Sequence, residues 1–294
     1  MSKIILNIAV KQNFWPAEIK PEHYVLGNGK IKPKIRFKDG HGWGDFIPVG
    51  ETQSKNGIDP QSCPAGGTLN CVEAIGRFEY GKSFQSDLAE RFLAILMGMK
   101  GFGGNPHVAG ETWRKFGAVP EVFLPFDDSI DTIKKYFSPN PMSYWLFKVG
   151  QSWLKKYDLK HQWLFYGDEP LKDKQARIKE ALKSSPVGVS GYAWSLHDDG
   201  KHYKDGPDIH WFTVYDFVEG DYWLAYDTYP DANGSYSKKL DWNYNFGYAK
   251  GYDLTRKLGA ESIEETIDDA EEVRLQYALY LAKWFISKFA NHEK

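Results

Sequence analysis

The stretch ETQSKNGIDPQSCPAGGTLNCVEAIGRFEY, residues 51–80, holds both cysteines of the chain and its clearest change of pattern. Up to Cys63 it is polar and rich in Gly and Pro. From Pro64 onward Leu69, Val72, Ile75 and Phe78 recur near helical spacing, which predicts a helix from Pro64 to about Tyr80. Proline suits a helix start, because the N–H it lacks would have no partner there. Gly66 and Gly67 each cost the helix about 1 kcal/mol relative to Ala. Such a cost is tolerable where another backbone must approach closely.

A helix N-terminus carries unpaired N–H groups and partial positive charge. A thiol placed there is expected to have a lowered pKa and more of the nucleophilic thiolate. Cys63 stands at that position. Cys71 lies further along the helix and reads as a small buried hydrophobe. The helix between them rises about 12 Å, and bridged Cα atoms lie within about 7 Å, so no disulfide is expected.

Around this helix the chain divides into expected segments. Residues 1–50 read as an extended N-terminal arm with one or two strands. A helix after Ser86 carries the stripe Leu88, Phe92, Ile95 and Met99 and ends at GFGG, 101–104. A third runs from Asn105-Pro106 to Gly117. Residues 126–175 read as a possible insertion, with helical segments near Ile130–Tyr136 and Tyr144–Tyr157. Residues 174–184 suggest an exposed helix, and SPVGVSGYAW a strand. HWFTVYDFVEGDYWLAYD, 210–227, reads as a β-hairpin turning at Glu219-Gly220. Residues 256–294 read as a long C-terminal helix, with Leu275, Ala278, Leu281, Phe285 and Phe289 on one face. The main domain is then 51–255. Its class is α+β, an N-terminal helical half packed on a C-terminal antiparallel β half.

The totals narrow the possible roles. The chain has 294 residues, enough for one large domain or two smaller ones. A formal net charge of −2 argues against a general electrostatic partner such as nucleic acid or a membrane surface. Two cysteines are too few for a disulfide framework and suit a reducing compartment. MSKIILNIAVKQNF shows no secretory signal pattern, and no apolar run approaches the roughly 20 residues of a membrane helix. Aromatic residues make up 16% of the chain; most are expected in the core, with a minority free to line a groove.

A cysteine nucleophile needs a base, and the base an orienting partner. His210 opens the predicted hairpin. Across the Glu219-Gly220 turn position 210 faces 229, so Asp227 becomes a diagonal neighbour on the same face, about 7–8 Å away by backbone. HDDGKHYKDGPDIH, 197–210, reads as a polar loop leading into this strand rather than a metal site, since its spacing matches no strong ligand signature. DANGS, 231–235, begins like a calcium loop, but Trp242 stands where a bidentate Glu belongs.

This order of parts resembles the papain-like cysteine peptidases, whose His follows the Cys by about 130–150 residues. The interval from Cys63 to His210 falls in that window. The match is closer to a divergent branch found in phage genomes, through Glu51-x-Gln53 before the nucleophile and Asn70-x-x-Glu73 after it. SDLAERFLAIL, the 103–104 glycines, FGAVPEVFLPF, IHWFTVYDF and YWLAYDTY follow in the family's order, and the likeness spans about residues 45–230. The resemblance implies a papain-like fold, Cys63 as nucleophile, His210 as general acid/base, and Asp227 as orienter in place of the more usual Asn. It implies that Gln53 donates to the oxyanion beside the Cys63 N–H.

The sequence departs from the family pattern at Pro64, where an aromatic residue is usual, and in a longer Gln-to-Cys interval, which leaves Gln61 as a second oxyanion candidate. An alternative frame puts Cys71 in the nucleophile's place but loses Glu73. The implied activity is hydrolysis of a peptide or peptidoglycan amide through an acyl-enzyme, with no metal or cofactor. Alternatives are a peptidoglycan amidase and a papain-fold virion or scaffold protein with little activity. The C-terminal helix is a candidate surface for a protein partner. A phage-encoded protein would act in the host cytoplasm or the virion.

Overall fold

The expected central helix is present as α1, Cys63–Tyr80, and every residue from Cys63 to Gly76 is buried. That burial is wider than one apolar stripe, because α1 has neighbours on both sides. The computed structural model describes residues 32–81, 84, 87–140, 142–192, 195–231 and 233–257. The first part of the expected arm, the Ser86 cap and the C-terminal helix beyond 257 lie outside the described residues. Arg256 still belongs to the last strand.

On one side of α1 lie α2 (Glu90–Leu96) and α3 (Pro106–Phe116), with α4 (Ile133–Tyr136) and α5 (Tyr144–Lys156) beyond. α3 has the expected ends: Asn105 accepts from the His107 N–H at 2.8 Å, and Gly117 closes the helix at φ 76°. α2 starts later than the sequence suggests. Residues 87–89 run extended against 119–121, with Ala89 N–H to Val119 O at 2.8 Å and Glu121 N–H to Asp87 O at 2.8 Å. Leu88 therefore pairs with Pro120 as a β-bridge instead of opening a helix. Its N–H donates to Glu73 Oε1 at 2.8 Å.

On the other side of α1 lies a sheet built from β1 (Tyr157–Tyr166), β2 (Val187–Gly191), β3 (Ser195–Leu196), β4 (His202–Tyr203), β5 (His210–Val218), β6 (Tyr222–Tyr226), β7 (Ser237–Asp241) and β8 (Tyr248–Arg256). Among the described residues its order is β1-β8-β2-β5-β6-β7-β4-β3, antiparallel except for the short β4–β7 pair. The α+β arrangement expected from the sequence is therefore present. β1 is not among the elements expected from the sequence: it lies within 126–175 and pairs with β8 along its length in the main sheet. α6 (Leu171–Leu182) is not simply an exposed helix, since Lys174, Ile178, Ala181 and Leu182 are buried. The described part of the arm crosses the end of α1, where Arg36 bonds Glu79 at 2.6 Å and Asp253 at 3.0 Å. Trp43 Nε1 donates to Leu182 O at 2.6 Å. No helix among the described residues is long and apolar enough to cross a membrane.

The hairpin reaches the expected register by a different route. Its connection is Glu219, Gly220 and Asp221, one residue longer than the predicted turn. A bulge between Val214 and Asp216 absorbs the extra residue, so Thr213 pairs with Tyr226.

α1 meets β5 at Gly67. A Cβ there would lie 2.8 Å from Trp211 Cδ1 and 3.2 Å from the Trp211 carbonyl oxygen. Thr213 Oγ1 donates to the Gly67 carbonyl at 3.1 Å across the same contact. Behind the helix, buried carboxyls tie α1 to its surroundings. Burial raises Glu73, whose carboxyl is hydrogen-bonded to that of Glu51 and so shares a proton with it. Burial also raises Glu51, with Glu73 and Glu90 adding to it, and lifts Glu90 to about 7 and Glu121 to about 9.

Two outcomes follow. Gly67→Ala gains about 1 kcal/mol of helix propensity but overpacks the α1–β5 contact at a cost of about 1–3 kcal/mol. The urea midpoint should fall; a rise contradicts the packing described. Glu90 holds its proton more tightly folded than unfolded, so its contribution is complete below about pH 4.3 and fades as pH rises through about 7. Allowing for its partial exposure, this is worth on the order of 1–2 kcal/mol. Glu90→Gln should flatten the fall in stability between about pH 5 and 8; an unchanged slope contradicts this.

Candidate active site

Cys63 is the first residue of α1 and Pro64 the second, one position later than the sequence suggests, with Ser62 as N-cap. Ser62 O accepts from the N–H groups of Ala65 at 2.8 Å and Gly66 at 3.1 Å, so the missing Pro64 N–H leaves no gap in the first turn. Two residues before the cysteine, Gln61 is held at φ 55°, and its N–H donates to Asp59 Oδ1 at 2.8 Å. This is a left-handed conformation that few non-glycine residues adopt. Thr228 packs against Gly66, where a Cβ would come within 3.2 Å of its methyl. The two glycines thus let the start of the helix settle onto β5 and the chain leaving β6.

Cys63 has no exposed surface and packs with Trp163 and Trp211. The Trp211 backbone N–H is hydrogen-bonded to its sulfur. Trp211 directly follows His210, so the thiol is held at the backbone of the residue pair that carries the imidazole. His210 begins β5 opposite Gly191 of β2. Its Nε2 meets Asp227 Oδ1 at 2.6 Å, with both side chains wholly buried. Asp227 follows β6, and its N–H donates to Tyr236 O at 2.9 Å. The diagonal placement expected from the hairpin therefore brings His210 and Asp227 together.

The electrostatics differ from the expectation at Cys63. Burial pushes the thiol well above its ordinary value, outweighing the Trp211 and Cys63 backbone N–H groups that favour thiolate. Asp59 and Asp227 raise it further. The helix N-terminus is a weak source of charge, and here it competes with the loss of all water around sulfur. Burial at this position thus favours the thiol over the thiolate. At Cys71 burial likewise raises the thiol, to about 12, and its Sγ lies 3.5 Å from Thr213 Oγ1. That agrees with a structural role for Cys71. Burial alone would raise Asp227 too, but His210 and Lys238 hold it well below the usual carboxylate range.

Gln53 is buried beside the same group. Its Oε1 accepts from Thr228 Oγ1 at 2.8 Å, and its Nε2 donates to Asp59 Oδ1 at 3.1 Å and to the Tyr229 hydroxyl. To reach a substrate oxygen that amide must leave one of these acceptors. Gln61, the other candidate, is half-buried, and its Oε1 has no hydrogen-bond partner among the described residues.

Three further residues, not among those expected from the sequence, take part. Tyr229 lays its ring 5.1 Å from that of His210, donates its N–H to Asp227 Oδ1 at 3.1 Å and its O–H to Asp59 Oδ2 at 2.5 Å. Asp59 ties Gln53, Gln61 and Tyr229 together. Lys238 Nζ meets Asp227 Oδ2 at 2.5 Å and is itself buried. Only Lys238 left a signal: Leu240 faces inward, and period-two alternation puts Lys238 on the same side.

No family model matches the chain, and no curated protein matches it in sequence. Solved structures do. Xylellain, a cysteine protease from Xylella fastidiosa, aligns at a TM-score of 0.53 and 15% identity over 84% of this chain and 96% of its own. Procathepsin B S9 from Trypanosoma congolense gives 0.52 at 14% identity over 86% and 89%. Digestive procathepsin L 3 of the Tenebrio molitor larval midgut gives 0.50 at 15% identity over 83% and 77%. At these identities the likeness concerns the fold: the chain has the papain-like fold, its helical half on one side of α1 and its antiparallel sheet on the other.

Proposed function

We propose that the chain is a thiol hydrolase that cleaves peptide amide bonds through an acyl-enzyme. The observation that carries this reading is the buried 2.6 Å contact of His210 Nε2 with Asp227 Oδ1, one residue from the backbone N–H that holds Cys63 sulfur. With Nε2 engaged by the carboxylate, His210 Nδ1 is the nitrogen that takes the Cys63 proton as sulfur attacks the carbonyl carbon. The imidazolium then returns the proton to the departing amine. Water, deprotonated by the same nitrogen, attacks the thioester and releases the acid. Because burial favours the thiol at Cys63, proton transfer is expected to accompany attack.

The Cys63 N–H and the Gln53 amide are the proposed oxyanion donors, with Gln61 as the alternative; one such donor is worth about 3 kcal/mol in the transition state. The chemistry needs neither metal nor cofactor. The substrate is a peptide, and the phage-type sequence features favour a peptidoglycan peptide as one form of it. A second reading, a papain-fold virion or scaffold protein with little turnover, is favoured by the complete burial of the Cys63 sulfur.

Turnover of a fluorogenic peptide library and of peptidoglycan fragments, compared across variants, tests the proposal. Cys63→Ala should lose about three orders of magnitude or more, while Cys71→Ala keeps wild-type turnover. Equal turnover in wild type and Cys63→Ala overturns the assignment. A wild type that cleaves nothing in either set supports the second reading.

A further inference from the structure

Asp227 is a full negative charge without solvent contact, and His210 offers it a cation only when protonated. Beside a neutral imidazole the carboxylate would stand without a balancing charge, which is strongly unfavourable for a buried ion. Lys238 supplies the missing charge. It projects from β7, where it pairs with Ala225 of β6, and its ammonium meets Asp227 Oδ2 at 2.5 Å while Oδ1 meets His210. The carboxylate is thus gripped from both ends.

We infer that Lys238 is a positioning residue for His210: it holds Asp227 Oδ2 so that Oδ1 stays on the imidazole, and its charge offsets the carboxylate so that His210 is not locked as imidazolium. This rests on the Cys63–His210–Asp227 assignment proposed above. A bare Asp227 would bind the imidazolium so strongly that His210 would stay protonated and fail as a base for the neutral thiol. With Lys238 in place Asp227 keeps Oδ1 on the imidazole while Oδ2 is held by the ammonium. The other groups around this unit are the Cys63 thiol with Asp59 beside it, Tyr229 against the imidazole, Tyr244, and His202 on β4, whose basicity burial and Lys238 lower.

The test is the NMR titration of the His210 ring in a Cys63→Ala background, with resonances assigned against His202→Gln. Lys238→Met should raise the His210 midpoint by about one pH unit or more, because the unpaired carboxylate then favours imidazolium. Lys238→Arg, which keeps the charge, should leave it near the parent value. In Asp227→Asn the Lys238→Met effect should shrink, since the charge it exposes is gone. An unchanged or lower midpoint in Lys238→Met overturns the inference.

Should Lys238→Met fail to fold, Lys238→Met/Asp227→Asn replaces it. Recovery of folding by the second substitution supports the charge pairing, and a double variant no more stable than the single one overturns it. None of these readouts needs turnover. A protein that cleaves no peptide still titrates, so failure of the peptidase reading and failure of this inference give different results.

Discussion

The site depends on how closely α1 can approach β5. At Gly67 the helix lies so near Trp211 that a methyl group has no room, and Thr213 bonds the Gly67 carbonyl across the gap. This contact is one helical turn from Cys63 and one residue from His210. The two glycines weaken the helix locally, and burial on both sides offsets that loss. Leu69, Val72 and Ile75 are each essentially buried, and full burial of such a side chain contributes about 1.5–3 kcal/mol. The same geometry that closes the core sets the sulfur against the His210–Trp211 backbone.

Burial then governs the chemistry. A helix N-terminus favours thiolate, but the surroundings of Cys63 exclude water and include two carboxylates, and these effects win. On the proposed reading such a site needs a base able to accept the proton during attack. That requirement makes the charge balance around His210 matter. Asp227 meets the imidazole at one oxygen and Lys238 at the other, and Tyr229 lies against the ring and links it to Asp59 and Gln53. Behind α1 burial takes the opposite direction and raises the carboxyls of Glu51, Glu73, Glu90 and Glu121.

Much of this was legible in local patterns. Apolar spacing, the Pro64 start and the paired glycines located α1, and the hairpin located His210 and Asp227. The hairpin has the expected register at its open end although its turn is a residue longer than expected, because the bulge at Val214/Asp216 compensates. What was not legible depended on partners distant in sequence. α2 begins late because residues 87–89 find strand-like partners at 119–121. β1 follows α5 without a break, at Tyr157, so its aromatic-rich run offered no boundary. The raised Cys63 pKa follows from burial under Trp163 and Trp211, residues about one to one and a half hundred positions away in the chain.

The central claim is that Cys63, His210 and Asp227 act as one thiol-activating unit while Cys71 is structural. The most direct measurement is covalent labelling with a thiol-directed epoxide of the peptidyl type, followed by intact mass and peptide mapping. The account predicts one adduct per chain, on Cys63, at a rate that collapses in His210→Ala. Slow, equal modification of Cys63 and Cys71 that ignores the His210 substitution would contradict it.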